Sequence, residues 1–482
     1  MHPAIISKVL GILLMGYSIV LVPPVIVSLI YQDNVHQAFL ISFAITLFTG
    51  VVLWLLARGK RQDLRTRDGF VVTALFWAVL GLFGALPFLL SESPTLSITD
   101  AVFESMSGLT TTGATVISGL DYLPESILFY RQSLQWLGGI GIIVVAIAIL
   151  PMLGIGGMQL YRAEIPGPVK DTKLTPRITE TAKALIFIYA GLTIVCMLAY
   201  WYAGMSFFDA ICHAFSTVAI GGFSTHDESI GYFNSPAIVW VAIFFMFFSA
   251  INFALHFFAW HNRSIKQYLH DPEFKFYFFC ILLGIAITVS YLIASNTYGP
   301  MESLLHGTFE LVAIVTTTGY STVGFSNWPG FLPFMIFIGA FMGGCSMSTA
   351  GGMKVIRVLL VCKQGLREIH RLIHPNAVIP IKIGKRTVSD RVVDAVWGFF
   401  ALYVFSFATM FLLLMATGLD FLTAVSAVGA CINNLGPGMG DVAANYANIN
   451  PAAKWILCFA MLLGRLEVFT LLVLFTPMFW RR

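Results

Sequence analysis

Charge is what this chain has least of. Asp, Glu, Lys and Arg make up 11% of it, against about a quarter in soluble globular domains, so a water-soluble fold is excluded and no nucleic-acid partner is expected. Cysteine is sparse and scattered: the seven cysteines, an odd number, lie mostly within or beside apolar runs without metal-ligand spacing, which argues against a disulfide framework and a zinc site. The ten histidines form no cluster either; His306 and Glu310 share a helical face, yet two residues do not make a metal site. Catalytic signatures are missing as well. There is no H-E-x-x-H, G-x-S-x-G or G-x-G-x-x-G, and "IKIGKRT" lacks both the earlier glycine and the Ser/Thr after Lys of a phosphate-binding loop. An enzyme is not expected, and regulation by nucleotide would have to come from another chain.

What the sequence has in abundance is apolar length. Hydrophobic residues make up 58%, with 42 Phe, and runs of roughly twenty apolar residues recur from end to end, each able to cross a bilayer as a helix. The expected fold class is an all-α, multi-pass integral membrane protein of about ten spans, its solvent the lipid bilayer. The first run, 5–31, is too long for a signal-peptide core and reads as a retained span. Lys and Arg gather in 58–68, 161–177, 261–275, 354–391 and the terminal pair, which the positive-inside rule assigns to the cytoplasm. The intervening 91–130, 204–237, 296–333 and 418–453 contain no Lys or Arg but half of the 24 acids, an arrangement that concentrates cations at an external mouth.

With orientation fixed, the chain divides into a two-span segment, 1–68, and four repeats, 69–177, 178–272, 273–391 and 392–482. Each repeat is an outward span, a short moderately apolar stretch, a polar glycine-containing stretch and a return span. The short stretch suits a re-entrant helix rather than a span. Asp100, Asp209 and Asp420 stand where such a helix begins and are read as its N-caps, which would aim the negative helix end into the membrane. Non-helical backbone at that depth is tolerated only when it is buried in protein or lines a watery cavity. Gly113, Gly222, Gly319 and Gly436 are the common element, 109, 97 and 117 residues apart. Four such loops around one axis, in pseudo-fourfold symmetry, would present rings of carbonyl oxygens in place of a cation's hydration shell. The expected cation ligands are the carbonyls of Thr111, Thr112 and Gly113; Ile220, Gly221 and Gly222; Thr317, Thr318 and Gly319; and Asn434, Leu435 and Gly436.

These four span, loop, span units, with "FESMSGLTTTGAT", "HAFSTVAIGGFSTHDESIGYF", "NNLGPG" and the ending "GRLEVFTLLVLF", resemble the TrkH family, membrane subunits of bacterial Trk potassium uptake systems within the Trk/Ktr/HKT superfamily. The resemblance covers almost the whole chain. It implies a K+-translocating homodimer in the inner (plasma) membrane, with those twelve carbonyls as its potassium ligands, regulated by a cytoplasmic nucleotide-binding subunit, TrkA. Each filter has one key glycine where the potassium-channel "TVGYG" has two, which leaves room for Na+, Rb+ or Cs+. Unit four departs most: relative to Asp420 its glycine is displaced by three residues, and Asn433 and Asn434 replace threonines.

The return span of unit three is interrupted by "GGCSMSTAGGMK", 343–354. Its paired glycines and hydroxyls disfavour a helix. Small residues also serve close helix packing, but the stretch is too polar for lipid, and an intramembrane gating loop is favoured, built from Gly343, Gly344, Ser346, Ser348, Thr349, Gly351, Gly352 and Lys354. In the resembling family such a loop acts as a gate. Arg465 lies inside the last apolar run, either lining the pore or held in a structural ion pair; Lys354 either acts similarly or snorkels to the cytoplasm. The competing function is an alternating-access, proton-coupled cation symporter. Such carriers place ionisable groups at mid-membrane and use inverted repeats, whereas these units all run in one direction.

Overall fold

The computed structural model describes residues 2–58, 66–144, 178–384 and 386–481. The basic connection at 161–177, most of the one at 58–68, the end of the unit-one return span and Arg482 lie outside the described residues. Nearly everything described is helix. Two N-terminal spans come first: α1 (Pro3–Val20) runs into the proline-containing α2 (Val22–Tyr31), and α3 (His36–Leu56) returns beside α1. Gly11 and Gly50 face each other there: a Cβ on Gly11 would lie 2.7 Å from the Gly50 carbonyl oxygen, so small residues let the two backbones touch where lipid supplies no hydrophobic drive.

Unit one comprises α4 (Thr66–Gly84), α5 (Leu86–Leu90), the re-entrant α6 (Ile98–Leu109) and α7 (Glu125–Val144). Unit two comprises α8 (Ile178–Tyr202), the re-entrant α9 (Phe207–Ala219), α10 (Pro236–Ser249) and α11 (Phe253–His261). After the short α12 (Lys266–His270), unit three has α13 (Pro272–Ala294), the re-entrant α14 (Pro300–Val315), α15 (Leu332–Met342) and α16 (Val355–Ile373). A two-stranded antiparallel hairpin, β1 (Lys382–Ile383) and β2 (Arg386–Thr387), leads to unit four: α17 (Asp390–Ala416), the re-entrant α18 (Phe421–Ile432), α19 (Pro451–Arg465), α20 (Val468–Leu472) and α21 (Pro477–Trp480).

Six described helical segments are long and apolar enough to cross a membrane, and two more are pairs bent by 94° and 115°. The outward spans of units two, three and four are single helices, and that of unit one passes from α4 into α5. Two return spans differ from the continuous helices that the sequence suggests: unit two bends between α10 and α11 and unit four between α19 and α20, while unit three opens at 343–354, where the sequence places its break. Each break has a local cause. At the first, the Asn252 side chain caps α11 by accepting from Ala254 N at 2.8 Å, and the freed Ala250 carbonyl accepts from Cys345 N of the unit-three loop at 2.8 Å. At the last, Glu467 adopts φ +60° and pairs with Arg357 at 2.6 Å. The four re-entrant helices have 12, 13, 16 and 12 residues; at 1.5 Å per residue each falls short of the ~30 Å hydrocarbon core. Three buried cores hold the described residues together. The two large ones join the N-terminal spans with units one and four, and units two and three with Ala430, Leu435 and Met439 of unit four; a small third one packs α16, β1 and α17 through Ile356, Leu360, Ile383 and Val393.

Candidate functional site: four loops on one cavity

The re-entrant helices end alike. Two residues before each key glycine the backbone turns left-handed, at Thr111, Ile220, Thr317 and Asn434, with φ of 53°, 55°, 67° and 53°. The next N–H, of Thr112, Gly221, Thr318 and Leu435, bonds back across five residues at 2.8 to 2.9 Å, the longer bond of a Schellman cap. The glycines then turn left-handed again, with φ of 82°, 80°, 79° and 94°.

Those glycines meet. A Cβ on Gly113 would lie 2.1 Å from the Gly221 oxygen, on Gly222 2.0 Å from the Thr318 oxygen, on Gly319 2.1 Å from the Leu435 oxygen, and on Gly436 2.7 Å from the Thr112 oxygen. Each oxygen belongs to the residue before the next unit's glycine, and the fourth contact returns to unit one. The loops therefore close a ring in chain order. Of the twelve candidate carbonyls, Gly221 accepts from Gln135 Nε2 at 2.7 Å and Gly436 from the Tyr446 hydroxyl at 2.7 Å. The other ten receive no hydrogen bond among the described residues. Buried carbonyls without a donor are rare, and their lone pairs suit a cation.

The capping differs from the expectation. Asp420 is the N-cap of α18, but Ser97 and Ser206 cap α6 and α9, each hydroxyl accepting from the N–H of Asp100 or Asp209 and bonding its carboxylate, a variant of the capping box. Unit three starts earlier, with Gly299 as N-cap and Pro300 in the first turn. The correction removes the apparent displacement in unit four. Ser97, Ser206 and Asp420 each stand sixteen residues before their glycine, because Asp100 and Asp209 occupy the third helical position rather than the cap.

Behind the ring is a set of side chains that the sequence gave no reason to single out. Nine residues before each of the first three glycines a buried polar group on the re-entrant helix holds the chain leaving the ring. Glu104 accepts from Thr115 Oγ1 at 3.0 Å and Val116 N at 2.9 Å, His213 Nε2 meets Ser224 Oγ at 2.9 Å, and Glu310 accepts from Thr322 N at 2.7 Å and Val323 N at 3.1 Å. In unit four Ser426 does this work, bonding both N and O of Met439. Arg131 ties units one and two together: Nε pairs with Glu104 at 2.8 Å, NH1 donates to the Ser224 carbonyl at 3.0 Å, and its plane lies over Phe223. Gln135 adds a second tie, accepting from Phe223 N at 3.1 Å. One signal was available: "RQSLQ" places four polar side chains inside an apolar span, which is expensive unless they have partners.

All four glycines open on one cavity of about 500 Å³, also lined by Arg131, His226, Asp227, Glu228 and Glu310. Contrary to a mouth free of bases, Arg131 is part of its wall; Lys454, the next base beyond the unit-four stretch, pairs with Asp100 at 2.6 Å. Some acids are structural: Asp227 accepts from Gly119 N and Leu120 N at 3.1 and 3.0 Å. His226 stacks on Tyr232 with ring centroids 3.5 Å apart and faces Asp121 and Asp209 at 2.5 and 3.5 Å. Burial pulls its pKa down, but the two carboxylates more than offset that and leave it raised. Asp209 is lowered to about 2: burial opposes this, and hydrogen bonds from His226, Ser206 and Thr225 prevail.

Beneath the ring, 343–354 is non-helical and mostly buried. Gly351 N donates to Thr317 Oγ1 at 2.7 Å, Gly352 N to the Asn433 carbonyl at 3.1 Å, and Thr349 Oγ1 to the Val218 carbonyl at 2.9 Å, so the loop touches units two, three and four at the ends of their re-entrant helices. Ser346 N bonds Glu273 at 2.7 Å, Ser348 Oγ bonds the Cys345 carbonyl at 2.6 Å, and Val355 N bonds the Gly344 carbonyl at 3.0 Å. Gly343, at φ 66°, starts the loop where a Cβ would meet the Gly351 oxygen. Lys354 folds back, donating to the Ala350 and Ser348 carbonyls. Arg465 bridges the loop and unit one, NH1 to the Thr349 carbonyl at 3.3 Å and NH2 to the Gly138 carbonyl at 3.0 Å. Among the described residues no carboxylate pairs with it, and Glu467 is taken by Arg357. No group of three or more His, Cys, Asp or Glu that could hold a metal occurs among the described residues.

Comparison with known proteins agrees on kinship. The profile of the family TrkH, described as "Cation transport protein", matches residues 35–482. The chain is 58% identical over 477 residues to the Trk system potassium uptake protein TrkH of Halomonas elongata, covering 99% of each, and 53% identical over 482 residues to that of Escherichia coli K12, covering 100% of each. Its fold is similar to the crystal structure of the potassium transporter TrkH from Vibrio parahaemolyticus, with a TM-score of 0.93, 50% identity and 100% of both chains covered.

Proposed function

Since the chain belongs to the TrkH family of cation transport proteins, transporters rather than enzymes, we propose that it takes up K+ across the bacterial inner membrane through a filter of backbone carbonyls. The observation that carries this reading is the closed ring of four glycines with its unbonded carbonyls. A K+ ion entering from the external cavity exchanges water for those oxygens, four units contributing at each level. The re-entrant helices aim their C-terminal ends at the same place, each worth about half a negative charge. Uptake is driven by the electrochemical gradient, and the protein's part is to lower the dehydration barrier.

The loop 343–354 is the gate in this reading. It shares hydrogen bonds with Thr317 and Asn433, so it must leave the filter floor before an ion passes. Arg465 stands beside it as an electrostatic barrier. A TrkA-type nucleotide-binding subunit docks on the basic cytoplasmic surface that includes 363–391 and biases this loop, and the working assembly is a homodimer. One key glycine per unit makes a looser filter than two, so Rb+, Cs+ and some Na+ also pass.

The test is flux through purified protein in proteoliposomes. Gly113→Ser and Gly319→Ser place a Cβ against a neighbouring carbonyl and should lower the K+/Na+ flux ratio several-fold. Unchanged selectivity in both variants removes the filter assignment. Recordings in planar bilayers address the competing carrier, which predicts slow stoichiometric proton-coupled flux in place of unitary currents.

A further inference from the structure

Glu104 and Glu310 occupy the same position of units one and three, and the fold treats them differently. Both are fully buried. Glu104 is neutralised by Arg131 at 2.8 Å. Glu310 has no cation within ion-pair distance among the described residues, and its two oxygens are unequal. Oε1 accepts from Thr322 N, Val323 N, Ser321 Oγ and Thr322 Oγ1 at 2.7, 3.1, 3.3 and 3.2 Å. Oε2 has no hydrogen-bond partner among the described residues. Glu310 is also part of the wall of the cavity onto which the four ring glycines open.

A buried carboxylate with one oxygen anchored and the other idle needs a counter-charge, and a lone intramembrane acid beside an aqueous cavity marks an ion pathway more often than a structural accident. We propose that Glu310 Oε2 is the protein ligand of an outer monovalent-cation site on the unit-three side of the mouth, occupied by a partly hydrated K+ before it enters the ring. The site makes the entrance asymmetric. Unit one presents a neutral Glu104–Arg131 pair at the equivalent place, unit two the imidazole of His213, and unit four the methyl of Ala427. The anchored Oε1 fixes the side chain, so the charge is pre-aimed and little is lost in ordering it when the cation arrives.

The surroundings leave Glu310 as the group that answers to cation and proton alike. α10 and α15, packed against α14, contain no charged residue, and α13 carries Glu273 and Lys275 only in its first turn, at the other face of the membrane. On α14 itself His306 lies one turn away, its Nδ1 on Thr322 Oγ1 at 2.9 Å, and Glu302 is exposed near the helix start. Across the cavity stand Arg131, paired with Glu104; His226, paired with Asp121 and Asp209; Asp227, bonded to backbone; and Glu228. A proton on Oε2 removes the charge that holds the cation, so H+ and K+ compete.

The inference rests on the ring as the ion path. Its test is Rb+ uptake by the full chain in proteoliposomes, with the half-saturating concentration measured from mildly acidic to mildly alkaline external pH. In the wild type that concentration should rise as pH falls. Glu310→Gln should raise it about tenfold, the lower end of what a focused field contributes to local ion concentration, and make it independent of pH, whereas Glu302→Gln should behave as wild type. A Glu310→Gln protein with wild-type half-saturation and wild-type pH response overturns the site. Should that variant not fold, infrared difference spectra with and without K+ decide: an ionised-carboxylate band that grows with K+ in the wild type and shifts in Glu310→Asp supports the site, and no K+-dependent carboxylate band overturns it. If Gly113→Ser or Gly319→Ser alters selectivity while Glu310→Gln changes nothing, the outer site alone falls; if both glycine variants leave selectivity intact, the path itself falls.

Discussion

Thr111, Ile220 and Thr317 hold a left-handed backbone that costs a β-branched residue about 1–2 kcal/mol. Hydrogen bonds beside two of these turns offset part of that cost: the hydroxyls of Thr110 and Thr112, and of Thr316 and Thr318, pair at 2.8 Å, and Thr317 Oγ1 accepts from the loop 343–354, whereas Thr111 Oγ1 has no partner among the described residues. Asn434, whose side chain tolerates this backbone, reaches Thr112 Oγ1 at 3.0 Å and so joins the last unit to the first. The key glycines were legible because all four share one residue type; the groups at Glu104, His213, Glu310 and Ser426 were not, because one geometric job is done by three chemistries. The His226 clasp belongs to this scale too and carries a pH prediction. A raised imidazole pKa means the contacts with Asp121 and Asp209 are fully present below the usual imidazole value and are lost as pH rises through the raised one. A carboxyl lowered from 3.8 to about 2 contributes above 3.8 and loses that contribution as pH falls towards about 2. The loop 224–233 should therefore exchange its amide hydrogens most slowly at mildly acidic pH and faster above neutrality, after correction for intrinsic rates. His226→Gln should flatten the profile, and a flat wild-type profile would refute the clasp.

At the scale of elements, the short re-entrant helices and the break in unit three could be read from length and from "GGCSMSTAGGMK". The bends in units two and four could not. Apolar composition is the same for a straight span and for two pieces at 94° or 115°, and the bend near Ala250 is fixed by a carbonyl that the unit-three loop occupies. Misreading Asp100 and Asp209 as caps has a similar origin: both Ser97 and Asp100 favour a helix start, and only the hydrogen bond tells cap from third position. The gate loop supplies the test here. A Cβ on Gly351 would lie 1.9 Å from the Asn433 oxygen, so Gly351→Ala should push the loop off the filter floor and raise basal Rb+ flux several-fold without the regulatory subunit. Unchanged or lower flux in a folded, stable Gly351→Ala protein would remove the loop from the gating role.

For the whole molecule, the ring is formed by segments of one chain that lie about a hundred residues apart, brought together by two large cores, one built on units one and four and one on units two and three into which Ala430, Leu435 and Met439 of unit four also pack. The symmetry is inexact, and the inexactness is testable. At Gly436 a Cβ would lie 2.7 Å from its nearest oxygen, against 2.0 to 2.1 Å at the other three. Gly436→Ala should therefore keep more of the Rb+/Na+ selectivity than Gly113→Ala, Gly222→Ala or Gly319→Ala in the same flux assay. An equal or greater loss at Gly436 would mean that crowding at the ring does not govern selectivity.

The sequence by itself determined the solvent, the fourfold recurrence and the four glycines, because the bilayer's thickness and its intolerance of unpaired backbone leave visible marks in apolar length and glycine spacing. Tertiary structure alone decided that the glycines touch in cyclic order, that Arg131 pairs with Glu104 while Glu310 has no ion-pair partner among the described residues, and that the unit-three loop lies against the underside of the glycine ring. Contacts between residues a hundred or more positions apart depend on how helices pack, and packing leaves no periodic trace along the chain.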